Sequence, residues 1–245
     1  MTGPEPADDG AASARADQDG LGRLGRLGST LETLFGRPPQ APTEVRALDV
    51  RVGDGLVAGR AEADALADSG VDLVLLDATA GEPTPTAAVV AVAVLLDLEP
   101  VTALGLTPSP DWAGQVVAVR AALTSSRGHL GEPARLVDDP VLGRLTGLLA
   151  GCARRRTPVV LGGSTEVAAA ALVAARLEPD AAHRWLAGAR PTSAAGLAAH
   201  RALGLEPLLD VGVTAGGPAL TLALLRAGIR AANPEVTVDP EVAGA

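Results

Sequence analysis

Gly162-Gly163-Ser164-Thr165 follows the apolar run Pro158–Leu161 and precedes an alanine-rich stretch. Two glycines after a strand let the backbone come close to a ligand, and Ser164 or Thr165 can cap the next helix. Free amides at that helix start would then face an anion such as a phosphate. An ordinary strand-to-helix turn with a capping hydroxyl fits the same spacing. Arg190 opens a second connection of this kind, Arg190-Pro191-Thr192-Ser193, ahead of a helical pattern. There a guanidinium and the Ser193 hydroxyl could hold a carboxylate or phosphate, although a surface role also suits the arginine. Asp77 ends the apolar run Val71–Leu76, and Glu82 lies in the loop beyond it. Both carboxylates could reach one crevice, where a general base must lie within hydrogen-bond reach of a substrate proton. Solvated loop acids are the plainer alternative.

The composition removes other chemistries. All 20 basic residues are arginine, so Schiff-base catalysis and a P-loop lysine are both excluded. A formal charge of −9 opposes nucleic acid as the main partner, since phosphate neutralisation requires a basic face. His129, His183 and His200 have no metal-ligand spacing between them, and neither a metal nor any other cofactor is expected. The single cysteine, Cys152, sits in an apolar run and reads as a small buried residue. The acidic, Gly/Ala/Pro-rich N-terminus does not have the form of a signal peptide. No apolar run is long enough to span a bilayer. A soluble, cytoplasmic protein is expected.

The elements that must position these residues are legible from periodicity. Residues 1–20 lack an apolar period and read as a disordered tail, 21–232 as a single domain, and 233–245 as a loose C-terminal tail. Leu24, Leu27, Leu31, Leu34 and Phe35 form a helical face. Beyond Thr43, short apolar runs alternate with alanine-rich stretches, the pattern of βα units around a parallel sheet. Strands are expected at Val45–Val50, Val71–Leu76, Val101–Leu106, Pro158–Leu161 and Leu208–Val213. Helices are expected at Arg60–Ser69, Thr86–Leu96, Trp112–Leu123, Pro140–Arg155, Ser164–Leu177, Asp180–Ala187, Ser193–Leu203 and Pro218–Ala232. The fold class is therefore α/β: an open, mostly parallel sheet flanked by helices, doubly wound and Rossmann-like, with the N- and C-terminal helices packing as a small subdomain. Ligands of such sheets bind outside the carboxyl ends of the strands, where Thr79–Pro85, Thr107–Pro110 and Gly162–Thr165 are placed.

These residues, in this order, resemble the nicotinate-nucleotide:dimethylbenzimidazole phosphoribosyltransferases across most of 21–232. Leu24-Gly25-Arg26-Leu27 with Gly36-Arg37-Pro38-Pro39 is similar to the family's N-terminal helix and the proline-containing segment that ends it. Within Pro158–Gly212 the chain follows the family's Pro-Val-Val-Leu-Asp-Gly, alanine-rich helix, Ser-His-Arg-Ser and Leu-Gly-Leu-x-Pro-Leu-Leu-Asp-Leu-Gly blocks. The resemblance implies transfer of phosphoribosyl from nicotinate mononucleotide to a benzimidazole-type base in cobalamin biosynthesis, and a homodimer. It also adds Gly216 and Gly217, which fall at the family's Gly-Glu-Gly-Thr-Gly loop, to the substrate-binding candidates Gly162, Gly163, Ser164, Thr165, Arg190 and Ser193.

Departures from the pattern are concentrated in the ligand loops. The family's general base is the glutamate of Gly-Glu-Gly-Thr-Gly, whereas this chain has Thr214-Ala215-Gly216-Gly217-Pro218, with no carboxylate. Asp77 to Thr86 stands for Gly-Glu-Met-Gly-Ile-Gly-Asn-Thr-Thr, and Gly105-Leu106-Thr107-Pro108-Ser109 for Gly-Arg-Gly-Thr-Gly. The family's first strand and its Asp-His-Gly-Val segment have no counterpart between Pro42 and Val45. Impaired catalysis with Asp77 or Glu82 as a substitute base is one expectation. A non-catalytic paralogue that binds a nucleotide or base, or partners an active homologue, is the other.

Overall fold

A computed structural model describes residues 30–35, 40–51, 53–78, 86–106, 111–126, 128, 132–210 and 217–232. In chain order the described helices and strands are α1 (30–35), β1 (Val45–Asp49), α2 (Gly55–Asp68), β2 (Leu73–Asp77), α3 (Thr86–Leu96), α4 (Pro100–Leu104), α5 (Trp112–Ser126), α6 (Pro140–Arg155), β3 (Val159–Leu161), α7 (Thr165–Leu177), β4 (Trp185–Ala187), α8 (Ala194–Ala202) and α9 (Gly217–Ala232). Two short 3₁₀ turns, Pro133–Val137 and Ala181–Arg184, precede α6 and β4. The chain divides into two compact units, one holding 1–41 and 223–245 and the other 42–222. In the first, Leu31, Leu34, Leu225 and Ile229 are buried.

The second unit is an α/β layer structure. Its four strands are all parallel and ordered β1-β2-β3-β4. Each connection therefore carries the chain one position further across the sheet, with no reversal among the described strands. The pairings Asp49↔Asp77, Leu76↔Leu161 and Leu161↔Ala187 align the four carboxyl ends along one edge. The central strands β2 and β3 are apolar and buried along nearly their whole length, as expected of a sheet covered on both faces.

Local sequence explains the helix ends. Asp139 caps α6, its carboxylate accepting from the amides of Val141 and Leu142 at 3.1 and 2.9 Å. Pro140 at the first helical position is already set at a helical φ and sacrifices no needed donor. In the last turn, Arg154 and Arg155 face the negative end of the helix dipole. Leu142, Leu145, Leu148 and Leu149 of this helix are fully buried, each contributing about 2 kcal/mol of apolar burial. Helix α2 packs on α6 at very short range: a Cβ on Gly147 would lie 2.1 Å from the Leu56 carbonyl, and one on Gly59 2.0 Å from that of Arg144. Arg144 also reaches across with two hydrogen bonds to the Glu62 carboxylate, at 2.9 and 3.0 Å.

Two sequence expectations are corrected, and a third is tested only in part. Val101–Leu106 is not a strand: Pro100 starts the short helix α4, and Gly105, at φ 78, ends it. Asp180–Ala187 is not a helix, because its first half is a 3₁₀ turn and Trp185–Ala187 is a buried strand paired with β3. A fully buried strand of three residues shows no alternation by which to recognise it. Of Leu208–Val213, the described part forms only one parallel bridge, Ala189↔Leu209, and 211–213 lie outside the described residues.

Candidate functional site

The carboxyl edge of the sheet gathers most of the candidate residues. The β3–α7 connection is Gly162-Gly163-Ser164. The Gly162 amide donates to the Leu76 carbonyl at 2.7 Å, holding the turn against β2. Ser164 is the N-cap of α7, its hydroxyl accepting from the Val167 amide at 3.2 Å. In the next connection Ser193 caps α8 in the same way, accepting from the Gly196 amide at 3.0 Å. The Thr165 hydroxyl donates to the Ser193 hydroxyl at 2.6 Å, so the starts of α7 and α8 are tied side by side. A Cβ on Gly163 would lie 3.1 Å from the Arg190 carbonyl, which places the two connections in contact. The Arg190 guanidinium lies 3.3 Å from Asp210, half exposed, and its amide donates to the Leu209 carbonyl.

Asp77 adds the carboxylate. Its Oδ1 accepts from the Ala78 amide at 2.9 Å. A Cβ built on Gly162 would fall 2.3 Å from that same oxygen, so the Asp77 carboxyl occupies the space a side chain at 162 would fill. A side chain at 162 would have to displace the Asp77 carboxyl. Burial raises the Asp77 pKa, the Ala78 hydrogen bond lowers it, and the neighbouring charge of Asp49 raises it again; the net direction is upward.

Thus Gly162, Gly163, Ser164, Thr165, Arg190, Ser193 and Asp77 come together, and Gly217 is the first residue of α9. Glu82 and Gly216 lie outside the described residues. Sequence reading missed Glu166. It stands in the first turn of α7, only 5% exposed, and burial, then the charges of Asp77 and Asp139, push its pKa up against the pull of its own amide. Its one sequence signal, an acid in the first turn of a helix, is the ordinary response to the helix dipole. With two carboxyls beside the start of α7, the start of α8, near Arg190, is the more favourable of the two for an anion.

Other polar features are remote from this edge. A cleft of about 320 Å³ lined by Arg154, Arg156, Arg184, Glu178 and Asp180 lies by the residues that enter β3 and β4, at the amino edge. Arg154 and Arg156 lie at the end of α6 and Arg184 at the end of the 3₁₀ turn before β4, and Arg154 pairs with Glu178 at 3.7 Å. Cys152 is fully buried and its thiol is pushed up to about 12 by burial first, so it is not a nucleophile at neutral pH. No group of acids, histidines and cysteines among the described residues could hold a metal ion, and no described helix is long and apolar enough to cross a membrane.

The chain is similar to known proteins. Residues 43–240 match the profile of a family described as phosphoribosyltransferase. The nicotinate-nucleotide–dimethylbenzimidazole phosphoribosyltransferase of Mycobacterium avium is 41% identical over 191 residues, covering 74% of this chain and 54% of that protein. The protein of the same name from Mycobacterium marinum is 37% identical over 205 residues, covering 80% and 56%. The chain thus spans about half the length of the curated relatives it matches. Among solved structures, a nicotinate-nucleotide–dimethylbenzimidazole phosphoribosyltransferase from Thermus thermophilus superposes with a TM-score of 0.71 over 90% of this chain and 94% of that one, at 22% identity. CobT from the same organism gives 0.60 over 72% and 55%, at 27% identity.

Proposed function

We propose that this chain, which belongs to the nicotinate-nucleotide–dimethylbenzimidazole phosphoribosyltransferase family, moves phosphoribosyl from nicotinate mononucleotide to a benzimidazole-type base in cobalamin biosynthesis. The observation that carries the reading is the convergence, at the carboxyl edge of a parallel sheet, of two capped helix starts, Arg190 and the half-buried Asp77 carboxylate, within the matched residues. The Ser193 end of α8 and Arg190 would take the 5′-phosphate, since free amides and a guanidinium both favour a dianion. The glycines of the β3–α7 turn leave room for the sugar to approach the backbone. Transfer then requires a base for the proton of the incoming ring, and a carboxylate is the side chain here suited to that task. The protein is read as cytoplasmic and homodimeric, with small-molecule partners and no nucleic acid.

A second reading is favoured by one observation: Thr214–Pro218, where the family carries its glutamate base, has no carboxylate. On that reading the chain binds nucleotide or base without turnover, or partners an active homologue. Calorimetric titration with nicotinate mononucleotide tests the binding common to both. Saturable binding that Arg190→Ala weakens is expected, and absence of binding would refute both nucleotide-binding readings.

A further inference from the structure

The cleft at the amino edge of the sheet has a charge arrangement that helix ends alone do not explain. The register Val159↔Trp185 sets the entries of β3 and β4 side by side, and the cleft of about 320 Å³ lies by the segments that lead into them. Arg154 and Arg155 need no ligand to account for them. They close the last turn of α6, where cations complement the helix dipole, and they pair with Glu178 at 3.7 Å and with Asp68. Arg156 and Arg184 fall outside that explanation. Arg156 stands beyond the helix as its C-cap, its backbone at φ 59, a left-handed position that glycine fills without strain. Arg184 is half-buried, the last residue before β4. Among the described residues neither guanidinium has a hydrogen bond or an ion pair. Asp180 lines the same cleft, and its carboxylate caps nothing at the start of the 3₁₀ turn. With Arg154 and Glu178 set against each other, the cleft presents two unpaired cations and one unpaired carboxylate.

We propose that this cleft is a second ligand site, separate from the carboxyl edge, for a phosphate monoester that carries free hydroxyls, such as a sugar phosphate. Arg156 and Arg184 supply what a phosphate dianion needs, since each guanidinium can give two parallel N–H bonds and the two charges match the dianion's. Asp180 accepts from a hydroxyl of the sugar, a partner that free phosphate does not bring. The acids in the lining, Glu178 and Asp180, oppose a longer polyanion. A volume of about 320 Å³ stands at the small end of ligand pockets and suits a molecule of this size. No residue of the carboxyl edge lines the cleft, so the site is independent of whether the chain catalyses transfer.

The test is calorimetric titration of the full chain with ribose 5-phosphate and, separately, with inorganic phosphate. Three proteins are compared: wild type, Arg190→Ala, which lacks the guanidinium of the carboxyl edge, and Arg190→Ala that also carries Arg156→Gln and Arg184→Gln, with circular dichroism to confirm folding. The Gln side chain keeps part of the apolar stem while removing the charge. Saturable binding of ribose 5-phosphate should persist in Arg190→Ala and should weaken by about tenfold or more on the two further substitutions, as expected for lost charge-assisted hydrogen bonds. Inorganic phosphate should bind Arg190→Ala about tenfold more weakly than the ester does. An absence of saturable binding to Arg190→Ala, or an affinity that the two further substitutions leave unchanged, overturns the site. Equal affinities for inorganic phosphate and ribose 5-phosphate overturn the assignment of an ester. Should the triple variant fail to fold, Arg156→Gln at its exposed position, made alone in the Arg190→Ala background, decides: a measurable loss of affinity upholds the site and an unchanged affinity overturns it.

Discussion

His200 should make this fold sensitive to mild acid. The residue lies in the last turn of α8, 4% exposed, with neither ring nitrogen bonded to any partner. Burial lowers its pKa to about 4 from an ordinary 6.5. The folded chain therefore holds the imidazole neutral while the unfolded chain takes a proton near 6.5, so more protons are bound unfolded as pH falls through this window. Stability contributed by the neutral form is intact above pH 6.5 and is lost on the way down to 4. Each pKa unit is worth about 1.4 kcal/mol, so the loss reaches about 2 kcal/mol at pH 5 and about 3 kcal/mol at pH 4. The raised values of Asp77 and Glu166 act in the opposite sense, since their folded forms retain protons longer. The difference between wild type and His200→Leu cancels those contributions and isolates the histidine. Urea unfolding followed by the fluorescence of the buried Trp185, at intervals from pH 7.5 to 4, measures it. The variant should be at least as stable as wild type at pH 7.5 and should gain on it steadily below 6.5. A constant gap across the range would refute the reasoning.

Two further perturbations probe how the site is held. Gly147→Val should cost more than about 3 kcal/mol or prevent folding, because the added Cβ meets the Leu56 carbonyl and the α2–α6 contact has no slack; thermal unfolding would show it, and a fall of only a degree or two in Tm would contradict the close packing. Asp139→Ala should lower stability by about 1 kcal/mol through loss of the α6 cap, read from the urea midpoint, with an unchanged midpoint the contrary result.

Where the sequence was legible, the reason is local. Helix α6 was bounded correctly because Asp139-Pro140 and Arg154-Arg155 mark its two ends chemically, and α3 because eleven residues exceed a usual buried strand. Strand β4 was hidden by its brevity, and α4 because Val, Thr and Leu after Pro100 carry a strand-like composition that the proline overrides. At the site, the glycine turn and a hydroxyl cap from Ser164 or Thr165 follow from residue type and order, whereas Ser193 reads as the first helical residue and is instead the cap. The Asp77–Gly162 contact does not follow from them, since it joins residues 85 positions apart through strand register. Glu166 escaped for a related reason: its neighbour Thr165 and the cap Ser164 explain a first-turn acid, while its burial depends on how α7 sits against the sheet.

The central claim is tested most directly by incubating the purified chain with nicotinate mononucleotide and 5,6-dimethylbenzimidazole and separating the products by chromatography with mass detection. The account predicts nicotinate and the 5′-phosphorylated ribosyl benzimidazole in equal amounts. A folded chain that binds nicotinate mononucleotide yet yields neither product would contradict it.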